Sequence, residues 1–447
     1  MMRHAPKKAP APAPKTGKKN EPPARLKGMK DVLPEEGRYW RLVSDKALQL
    51  ARVYDFDRLE TPLLESLGLF EKAHGKTSDL IVKEIYSFVD KGGDRVALRP
   101  HAKASIARAV LEHNLIDELK PMVKTCLLGP SFRFDKMQSG WYRQHAQWNL
   151  DIIGEAGPIS DVQLILIGAN FFRELQVETQ VEINSMGDAD CQAAYSAKLA
   201  EYYREKTKKL KLPIELKKQM AKKPLEVLLS DDERLVEINE EAPQIVEFLS
   251  EEAKNNFFTV LEYLDALGIP YNLNPKLFGR FDYYSGTVFE FVTPEEEGRK
   301  QQTLATGGHY PALFDRLFGR TIPSVGLTVG LDRTVARIRS LNLPLDGQGG
   351  SDIYLAQLGD PARQKAMVLF EELRRAGFKV SQGFLHNGLK RQLEEAQKMN
   401  VRYTLVLGQK EMMDGTIIIR DMESGAQEVV DAKKVIHELE KRLKPAK

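Results

Sequence analysis

The sequence predicts an α+β protein with two folded domains, and three observations support this prediction. Between residues 26 and 340, stretches of alternating apolar residues typical of strands are interleaved with amphipathic helical stretches. At about 190–255 a charged stretch with a helical pattern and no strand alternation indicates an insertion. Residues 352–447 alternate strand and helix, which predicts a small α/β domain with a mostly parallel sheet.

The N-terminal segment, residues 1–25, differs from the rest of the chain. It is rich in Lys, Pro and Ala and nearly devoid of large apolar side chains. Such a segment cannot bury enough surface to offset its ordering entropy, so we predict a disordered basic tail. Two roles stay open for it: a solubilising leader, or a non-specific anchor for RNA phosphates.

Composition excludes several classes of protein. The net charge of the 447 residues is only +3, so the whole molecule is not a polycation. No apolar run approaches the ~18 residues of a membrane span, and the N-terminus lacks the apolar stretch of a signal peptide. Cys126 and Cys191 are too few for a disulfide framework or a four-cysteine zinc site. We therefore expect a cytoplasmic protein that does not bind membranes.

The larger domain begins with a helix, because Pro34, Glu35 and Glu36 are typical of a helix N-terminus and an amphipathic stretch follows to about Val53. The further predicted elements are a strand at 56–64 that leads into Pro62, a hairpin at 84–98, a helix at 103–113, strands at 122–134 and 145–153, a helix at about 159–175, strands at 179–186 and 284–292, and a helix that starts near Leu331.

An interdomain linker is predicted at 341–351, where Pro, Gly and Ser interrupt the pattern. The elements predicted after it are a strand at 352–358, a helix at 361–376, a strand at 378–384, a helix at 389–399, strands at 402–408 and 415–420, and a helix at 431–443. The chain contains no internal repeats.

Residues 129–154 predict two strands joined by a polar loop. Arg133 ends the first strand, and its planar, permanently charged guanidinium suits a phosphate group. Gln147 and Asp151 lie four residues apart on the second strand, so their side chains point to the same face of the sheet. A phosphate clamp is one interpretation, and a hairpin closed by an ordinary salt bridge is the other.

A second candidate segment is residues 322–338. Gly326 and Gly330 lie on a predicted strand and would let a ligand or another backbone approach closely. Arg333 opens the following helix, whose N-terminal dipole favours phosphate. A packing strand followed by a surface arginine is the alternative interpretation.

The third candidate segment, residues 278–291, contains Tyr283 and Tyr284 side by side before a strand. The pair can present one ring and one hydroxyl to a small polar ligand. Core aromatic residues are the alternative, and large aromatic side chains are frequently buried.

Taken in this order, the three segments resemble the histidine–tRNA ligase family of class II aminoacyl-tRNA synthetases, and the resemblance runs from about Leu26 to the C-terminus. The matching segments are LKGMKDVLPE (26–35), FDRLETPLLE (56–65) with the proline of the first class II motif at Pro62, 129–151 for the second motif, 326–333 for the third, FDYYSGTVFEF (281–291) and TGGHYPAL (306–313) for the two histidine signatures, EAPQIVEFL (241–249) for the insertion, and LKRQLEEAQKMNVRYTLVLG (389–408) for the anticodon-binding domain.

This resemblance implies a class II catalytic domain, in which helices flank an antiparallel sheet, with a helical insertion, a C-terminal α/β anticodon-binding domain and a homodimer. The implied reaction joins ATP and histidine as histidyl-adenylate and transfers histidine to tRNA, with Mg²⁺ on the phosphates and no metal fixed by the protein alone. The implied roles are catalytic for Arg133, Arg280 and Arg333, ATP-binding for Arg133, Asp135 and Arg333, histidine-binding for His101, Lys103, Gln147, Asp151, Tyr283 and Tyr284, and contact with the tRNA acceptor end for Lys136 and Gln138.

The amino-acid pocket departs from the family pattern. Where the family has Arg-Pro-Glu-Gly-Thr, this chain has Arg99-Pro100-His101-Ala102-Lys103. The family's Glu holds the substrate's ammonium group, and an imidazole that is mostly neutral at pH 7 cannot replace a carboxylate. Lys103 is expected to repel the ammonium group.

Other departures lie in the histidine signatures and the second motif. The family's catalytic Arg falls at Gly279, and an arginine stands one position later, at Arg280, where an extended segment would send it to the opposite face. His309 and Pro311 replace Arg and Asp. The sequence also has Asp135 and Asp151 for two glutamates and Trp141 for an arginine.

Three functional hypotheses follow. The first is a working histidine–tRNA ligase with an altered amino-acid pocket. The second is a catalytically impaired synthetase paralogue with a regulatory or ligand-sensing role. The third is an RNA-binding protein that uses the C-terminal domain and the basic tail.

Overall fold

The chain divides into two compact units, Met1–Leu343 and Pro344–Lys447. This computed structural model describes residues 23–135, 142–208, 210–230, 232–279, 281–296, 301–342, 351–383 and 385–443. The predicted tail up to residue 22, most of the predicted linker, and Lys136, Gln138, Trp141 and Arg280 lie outside the described residues.

An eight-stranded sheet forms the centre of the larger unit, in the order β1-β5-β6-β11-β10-β9-β7-β8. Its strands are β1 (Asp57–Arg58), β5 (Val123–Phe132), β6 (Gln144–Ile153), β7 (Gln180–Ser185), β8 (Tyr271–Leu273), β9 (Ser285–Val292), β10 (Thr303–His309) and β11 (Ser324–Gly330). The interior pairs are antiparallel, and only the two edge strands, β1 and β8, pair in parallel.

A small three-stranded sheet lies beside it, with β2 (Leu64–Ser66) and β3 (Ser87–Val89) on either side of β4 (Arg95–Leu98). The predicted hairpin at 84–98 corresponds to β3 and β4. The strand predicted at 56–64 is present but shorter, because the chain leaves the large sheet after β1 and re-enters strand structure at Leu64, beyond Pro62. Proline lacks the N–H donor that a continuous strand needs there.

The helices of the larger unit are α1 (Pro34–Val53), α2 (Leu67–His74), α3 (Lys103–Glu112), α4 (Pro158–Glu174), α5 (Ala189–Lys206), α6 (Ile214–Lys222), α7 (Pro224–Leu228), α8 (Val236–Glu240), α9 (Glu251–Ala266), α10 (Pro311–Phe318) and α11 (Leu331–Ser340). The start of α1 follows the sequence signals, since Pro34 occupies its first turn with Glu35 and Glu36. Within the described residues, no helix is long and apolar enough to cross a membrane.

Alternation along β6 determines where the core and the candidate site lie. Trp148, Leu150 and Ile152 are buried on one face, in the core shared with α1 and α4. Gln147 and Asp151 belong to the other face of the same strand, because successive side chains of a strand point to opposite sides. The central strands therefore carry a hydrophobic core on one side and polar side chains on the other.

The predicted insertion has its own small core, which α5, α6, α7 and α8 surround. Tyr203 of α5 is fully buried there and donates a hydrogen bond to Asn239 (Oη to Oδ1, 2.8 Å). Leu277 and Val288 are members of this cluster and Tyr284 packs against it, so the insertion shares its core with β9 and with the segment that precedes β9.

The smaller unit has a five-stranded sheet in the order β13-β12-β14-β15-β16. Its elements are β12 (Ile353–Gln357), α12 (Asp360–Arg375), β13 (Val380–Gln382), α13 (Leu389–Lys398), β14 (Tyr403–Leu407), α14 (Gln409–Asp414), β15 (Thr416–Asp421), β16 (Gln427–Asp431) and α15 (Val435–Leu443). The prediction of a mostly parallel sheet was only half right, because β14, β15 and β16 pair antiparallel.

Candidate active site

A single cavity lies on the polar face of the central strands. Residues of β6, β9, β10 and β11 form its floor and walls, together with the N-termini of α3 and α11 and the segment before β9. The lining residues that the sequence had singled out are His101, Lys103, Arg133, Asp135, Gln147, Gly279, Tyr284, Gly330 and Arg333. The fold thus brings together side chains that are more than two hundred residues apart in the sequence.

Two arginines mark one end of the cavity. Arg133 follows β5, and its guanidinium lies 3.5 Å from the His145 ring (Nη2 to Nε2). Arg333 lies in the first turn of α11 and donates to the backbone oxygen of Thr303. Two fixed guanidinium groups suit the negative charges of a polyphosphate. The positive end of the helix dipole at the start of α11 favours phosphate as well.

Carboxylates lie close to these arginines. Glu290 accepts a hydrogen bond from the Thr303 hydroxyl (3.0 Å), and burial raises its pKa although Arg333 opposes this. Asp332 accepts from the backbone N–H of Ala146 (2.7 Å), and burial raises its pKa to about 6. We refer to this part of the cavity as the arginine end.

Other residues that line the cavity are His101, Lys103, Gln147, Gly279, Phe281 and Tyr284, and we refer to them together as the acyl end. Gln147 is held by Ser131, whose hydroxyl donates to the Gln147 amide oxygen (3.1 Å). The amide Nε2 of Gln147 is thus the part that can donate to a ligand. An added Cβ at Gly279 would overlap Tyr284, so this position has no room for a side chain.

Lys103 forms a buried ion pair with Asp151. Asp151 Oδ1 accepts from the Lys103 ammonium group and from the Tyr310 hydroxyl (2.7 Å). Asp151 is fully buried and does not line the cavity, whereas Lys103 does. Burial lowers the pKa of Lys103, and Asp151 offsets part of that effect. The charge of Lys103 is therefore compensated inside the protein.

Gly326 makes room for this ion pair. It lies on β11 directly opposite Asp151 on β6. An added Cβ would overlap both the Lys103 nitrogen and Asp151. From the sequence, Gly326 was expected to let a ligand or another backbone approach closely. In the structure the group that approaches it is the Lys103 side chain of the same chain.

His101 contacts a second histidine that the sequence had not singled out. The Nε2 atoms of His74 and His101 are 2.6 Å apart, so one ring donates to the other. Burial lowers the pKa of His74 to about 4, and His74 is therefore neutral at pH 7. Aromatic rings surround the pair, with the ring centroids of His101 and Phe281 5.1 Å apart.

Tyr283 and Tyr284 have different surroundings. Tyr284 lines the cavity, whereas Tyr283 is 1% exposed and packs in the core near His74 and Phe281. Burial raises the pKa of Tyr283 well above its usual value. The structure thus presents one tyrosine of the pair to a ligand, and buries the other.

His309, at the end of β10, forms an ion pair with Asp161 of α4 (Nε2 to Oδ1, 2.6 Å). Burial opposes its charged form, but the attraction and hydrogen bond of Asp161 outweigh burial and raise the pKa of His309. The next helix, α10, starts at Pro311, which occupies its first turn. His309 is therefore held by an ion pair with another element, and Pro311 begins a helix.

Sequence reasoning missed His74 and Tyr310 as neighbours of the site. His74 is the last residue of α2 and is 27 residues from its partner. Tyr310 is 159 residues from Asp151. No spacing rule joins residues so far apart. A signal was available for Tyr310, which lies inside the segment TGGHYPAL (306–313) that resembles a histidine signature, whereas His74 lies in none of the matching segments.

The comparisons with known proteins agree with each other. A family model described as Histidyl-tRNA synthetase matches residues 28–334, and one described as Anticodon binding domain matches residues 352–442. The histidine–tRNA ligase of Dehalococcoides mccartyi is 32% identical across 93% of this chain and 99% of that protein. The one of Latilactobacillus sakei is 35% identical across 90% and 93%. The crystal structure of apo histidyl-tRNA synthetase from S. aureus aligns with a TM-score of 0.77 at 26% identity, covering 93% of this chain and 99% of that one.

Proposed function

The chain belongs to the histidyl-tRNA synthetase family, and on that premise we propose that it activates a carboxylic acid with ATP and transfers the acyl group to a tRNA. The observation that carries this proposal is the single cavity that joins the arginine end to the acyl end. Because the relatives are named histidine–tRNA ligases, histidine is the first amino acid to test, and a histidine-specific tRNA is the first acceptor.

The first step needs positioning more than acid–base chemistry. A substrate carboxylate is already ionised at pH 7, so no general base is required. Its oxygen attacks the α-phosphorus of ATP, an O–P bond forms, and pyrophosphate leaves. Arg133 and Arg333 are suited to hold the phosphates in line and to stabilise the charge that develops on them. Asp135, which lines the cavity, is a further candidate for binding ATP, and Arg280, which lies outside the described residues, is a further candidate for catalysis.

Mg²⁺ would supply charge neutralisation on the phosphates. The described residues contain no cluster of three His, Cys, Asp or Glu side chains that could hold a metal. Glu290, a carboxylate beside Arg333, fits a single contact to a phosphate-bound cation. The phosphates of ATP would therefore provide most of the oxygen ligands.

Three further assignments belong to this proposal. The smaller unit, which matches the anticodon-binding family, would hold the anticodon end of the tRNA. Lys136 and Gln138 would meet the acceptor end, and the basic tail would add non-specific affinity for phosphates. The active form would be a homodimer.

Pyrophosphate exchange tests the proposal directly. The purified full-length protein is incubated with ATP, labelled pyrophosphate and one amino acid at a time. Label entering ATP with histidine is the expected result. Exchange with another acid would mean that specificity has changed within the same chemistry. If no acid supports exchange in a protein that still binds ATP, the proposed activation is wrong.

A second candidate is a paralogue that binds nucleotide or RNA without charging tRNA. The Lys103–Asp151 pair favours it, since this pair engages Asp151, which the resemblance counts among the histidine-binding residues. This candidate predicts ATP and tRNA binding with no exchange for any acid. The same assay therefore separates the two functions.

A further inference from the structure

The acyl end of the cavity is lined by hydrogen-bond donors. The Lys103 ammonium group has three N–H donors, and Asp151 accepts from it at Oδ1. The Gln147 amide oxygen is engaged by Ser131, which leaves the amide N–H₂ group to donate. His101 can also donate or accept, depending on its tautomer.

Carboxylates are missing from this end within the described residues. The lining side chains here are His101, Lys103, Gln147, Phe281 and Tyr284, and none carries a negative charge at pH 7. Asp151 is close by, but it is fully buried behind Lys103 and accepts hydrogen bonds from Lys103 and Tyr310. The described carboxylates that do line the cavity are Asp135, Glu290 and Asp332; Glu290 and Asp332 lie at the arginine end, and Asp135 follows Arg133 in the chain.

This arrangement decides which substituent the subsite favours next to the substrate carboxylate. An ammonium group there would be a second cation near Lys103, and the carboxylate that Lys103 contacts, Asp151, is already paired with it and does not line the cavity, so the added charge would be strongly disfavoured. A hydroxyl or carbonyl oxygen carries no charge and can accept from Lys103 and Gln147. The donors at the acyl end therefore favour an oxygen over an ammonium group.

We propose that the acyl end takes a carboxylic acid with an uncharged oxygen, as in a 2-hydroxy or 2-oxo acid, where an amino acid carries its ammonium group. This inference rests on the proposed function and names its substrate class. The chemistry is unchanged: the carboxylate oxygen forms the bond to the α-phosphorus, pyrophosphate leaves, and the tRNA hydroxyl later displaces AMP. No oxidant or reductant is needed.

Binding measurements test the proposal without requiring turnover. The full-length protein, saturated with a non-hydrolysable ATP analogue, is titrated calorimetrically with L-histidine and with 3-(imidazol-4-yl)lactate, its 2-hydroxy counterpart. We expect the hydroxy acid to bind at least tenfold more tightly. Equal affinities, tighter binding of histidine, or binding of neither acid would overturn the proposal.

A single substitution tests the charge argument. His101→Glu adds a carboxylate at the acyl end and leaves the Lys103–Asp151 pair in place, so it should shift the preference toward histidine by at least tenfold. His113→Glu is the matched control, since it makes the same change at an exposed histidine at the end of α3. The control should keep the wild-type ratio. An unchanged ratio in the folded His101→Glu protein would contradict the charge argument.

Pyrophosphate exchange with the same two acids separates this inference from the proposed function. Exchange that is at least tenfold faster with the hydroxy acid supports both. Exchange that is faster with histidine keeps the proposed function and overturns the inference. Tighter binding of the hydroxy acid without exchange keeps the inference about the site and overturns the proposed activation.

Discussion

At the scale of single residues, the Lys103–Asp151 pair changes how the departures in the sequence are understood. From the sequence, Lys103 was expected to repel a substrate ammonium group. In the structure its charge is paired with Asp151, and Tyr310 donates to the same carboxylate oxygen. Lys103 therefore acts as a compensated donor in the cavity wall and not as an isolated cation. Removing one partner of such a buried ion pair strongly destabilises the protein, because the other charge is left unpaired.

Gly326→Ala should destabilise the larger unit. Its Cβ would overlap Lys103 and Asp151, and overpacking of a filled site costs about 1–3 kcal/mol. Urea unfolding followed by tryptophan fluorescence measures this, because all three tryptophans lie in the larger unit. Gly37→Ala is the control, since nothing lies near an added Cβ in this helical position and a small gain in stability is expected. Equal stability of the two variants would show that the ion pair has room to move.

His74 should make the free energy of unfolding depend on pH. Its pKa is about 4 in the folded protein and about 6.5 when unfolded, so below pH 6.5 the unfolded chain takes up a proton that the folded chain does not. Stability is thus lost as the pH falls. Between pH 7 and pH 5 the wild type should lose about 2 kcal/mol more than His74→Gln. The neighbouring charges, Asp282 and Arg316, are present in both proteins.

Urea titrations at the two pH values measure this difference. His113→Gln, which replaces an exposed histidine, should follow the wild type. Parallel pH dependence of the wild type and His74→Gln would mean that His74 does not titrate in this range.

At the scale of elements, regular patterns were predictable and irregular ones were not. The helix at α1 and the long β5–β6 hairpin were predicted because capping residues and alternation are local signals. β16 was missed because its residues, QEVVD, are mostly exposed and carry charges. α14 was missed because it is short, and its capping by Gly408 and Glu411 has little sequence signal.

In the candidate site, too, features with a local sequence signal were predictable and features without one were not. Arg133, Gln147 and Arg333 could be placed near one another because each lies beside a recognisable strand or helix end. The contacts of His74 with His101 and of Tyr310 with Asp151 could not, because they join separate elements through tertiary packing.

The insertion offers a prediction at this scale. Tyr203→Phe removes the hydrogen bond to Asn239 in the core between α5 and α8 and should cost about 1–2 kcal/mol. Hydrogen exchange should accelerate in α5 through α8 and stay unchanged in α12. Tyr263→Phe, at a partly exposed position of α9, is the control and should change neither region. Faster exchange throughout the chain would contradict a local role for this hydrogen bond.

At the scale of the whole molecule, the two units have separate hydrophobic cores. The core of the smaller unit includes Leu355 and Leu405 and draws on no residue of the larger one. Damage to this core should therefore affect the functions of the smaller unit first.

Leu355→Asp places a charge in that core and should unfold the smaller unit. We expect the affinity for tRNA to fall at least tenfold while the rate of pyrophosphate exchange changes by less than about twofold. Filter binding and the exchange assay measure the two effects. Met413→Asp adds the same charge at a residue that is 82% exposed and should alter neither. Loss of exchange in Leu355→Asp would mean that activation depends on both units.

The ion pair beside Gly326 also constrains the order in which the acyl end could change by mutation. Removing Lys103 alone leaves the Asp151 carboxylate buried without its counter-charge, which typically costs about 3–5 kcal/mol. Adding a carboxylate at residue 101 first does not lower this cost, because the new group is an anion and cannot replace the counter-charge that Asp151 loses with Lys103. The two substitutions are therefore epistatic: a carboxylate at residue 101 is compensated while Lys103 is present, and the loss of Lys103 costs more once that second carboxylate is there.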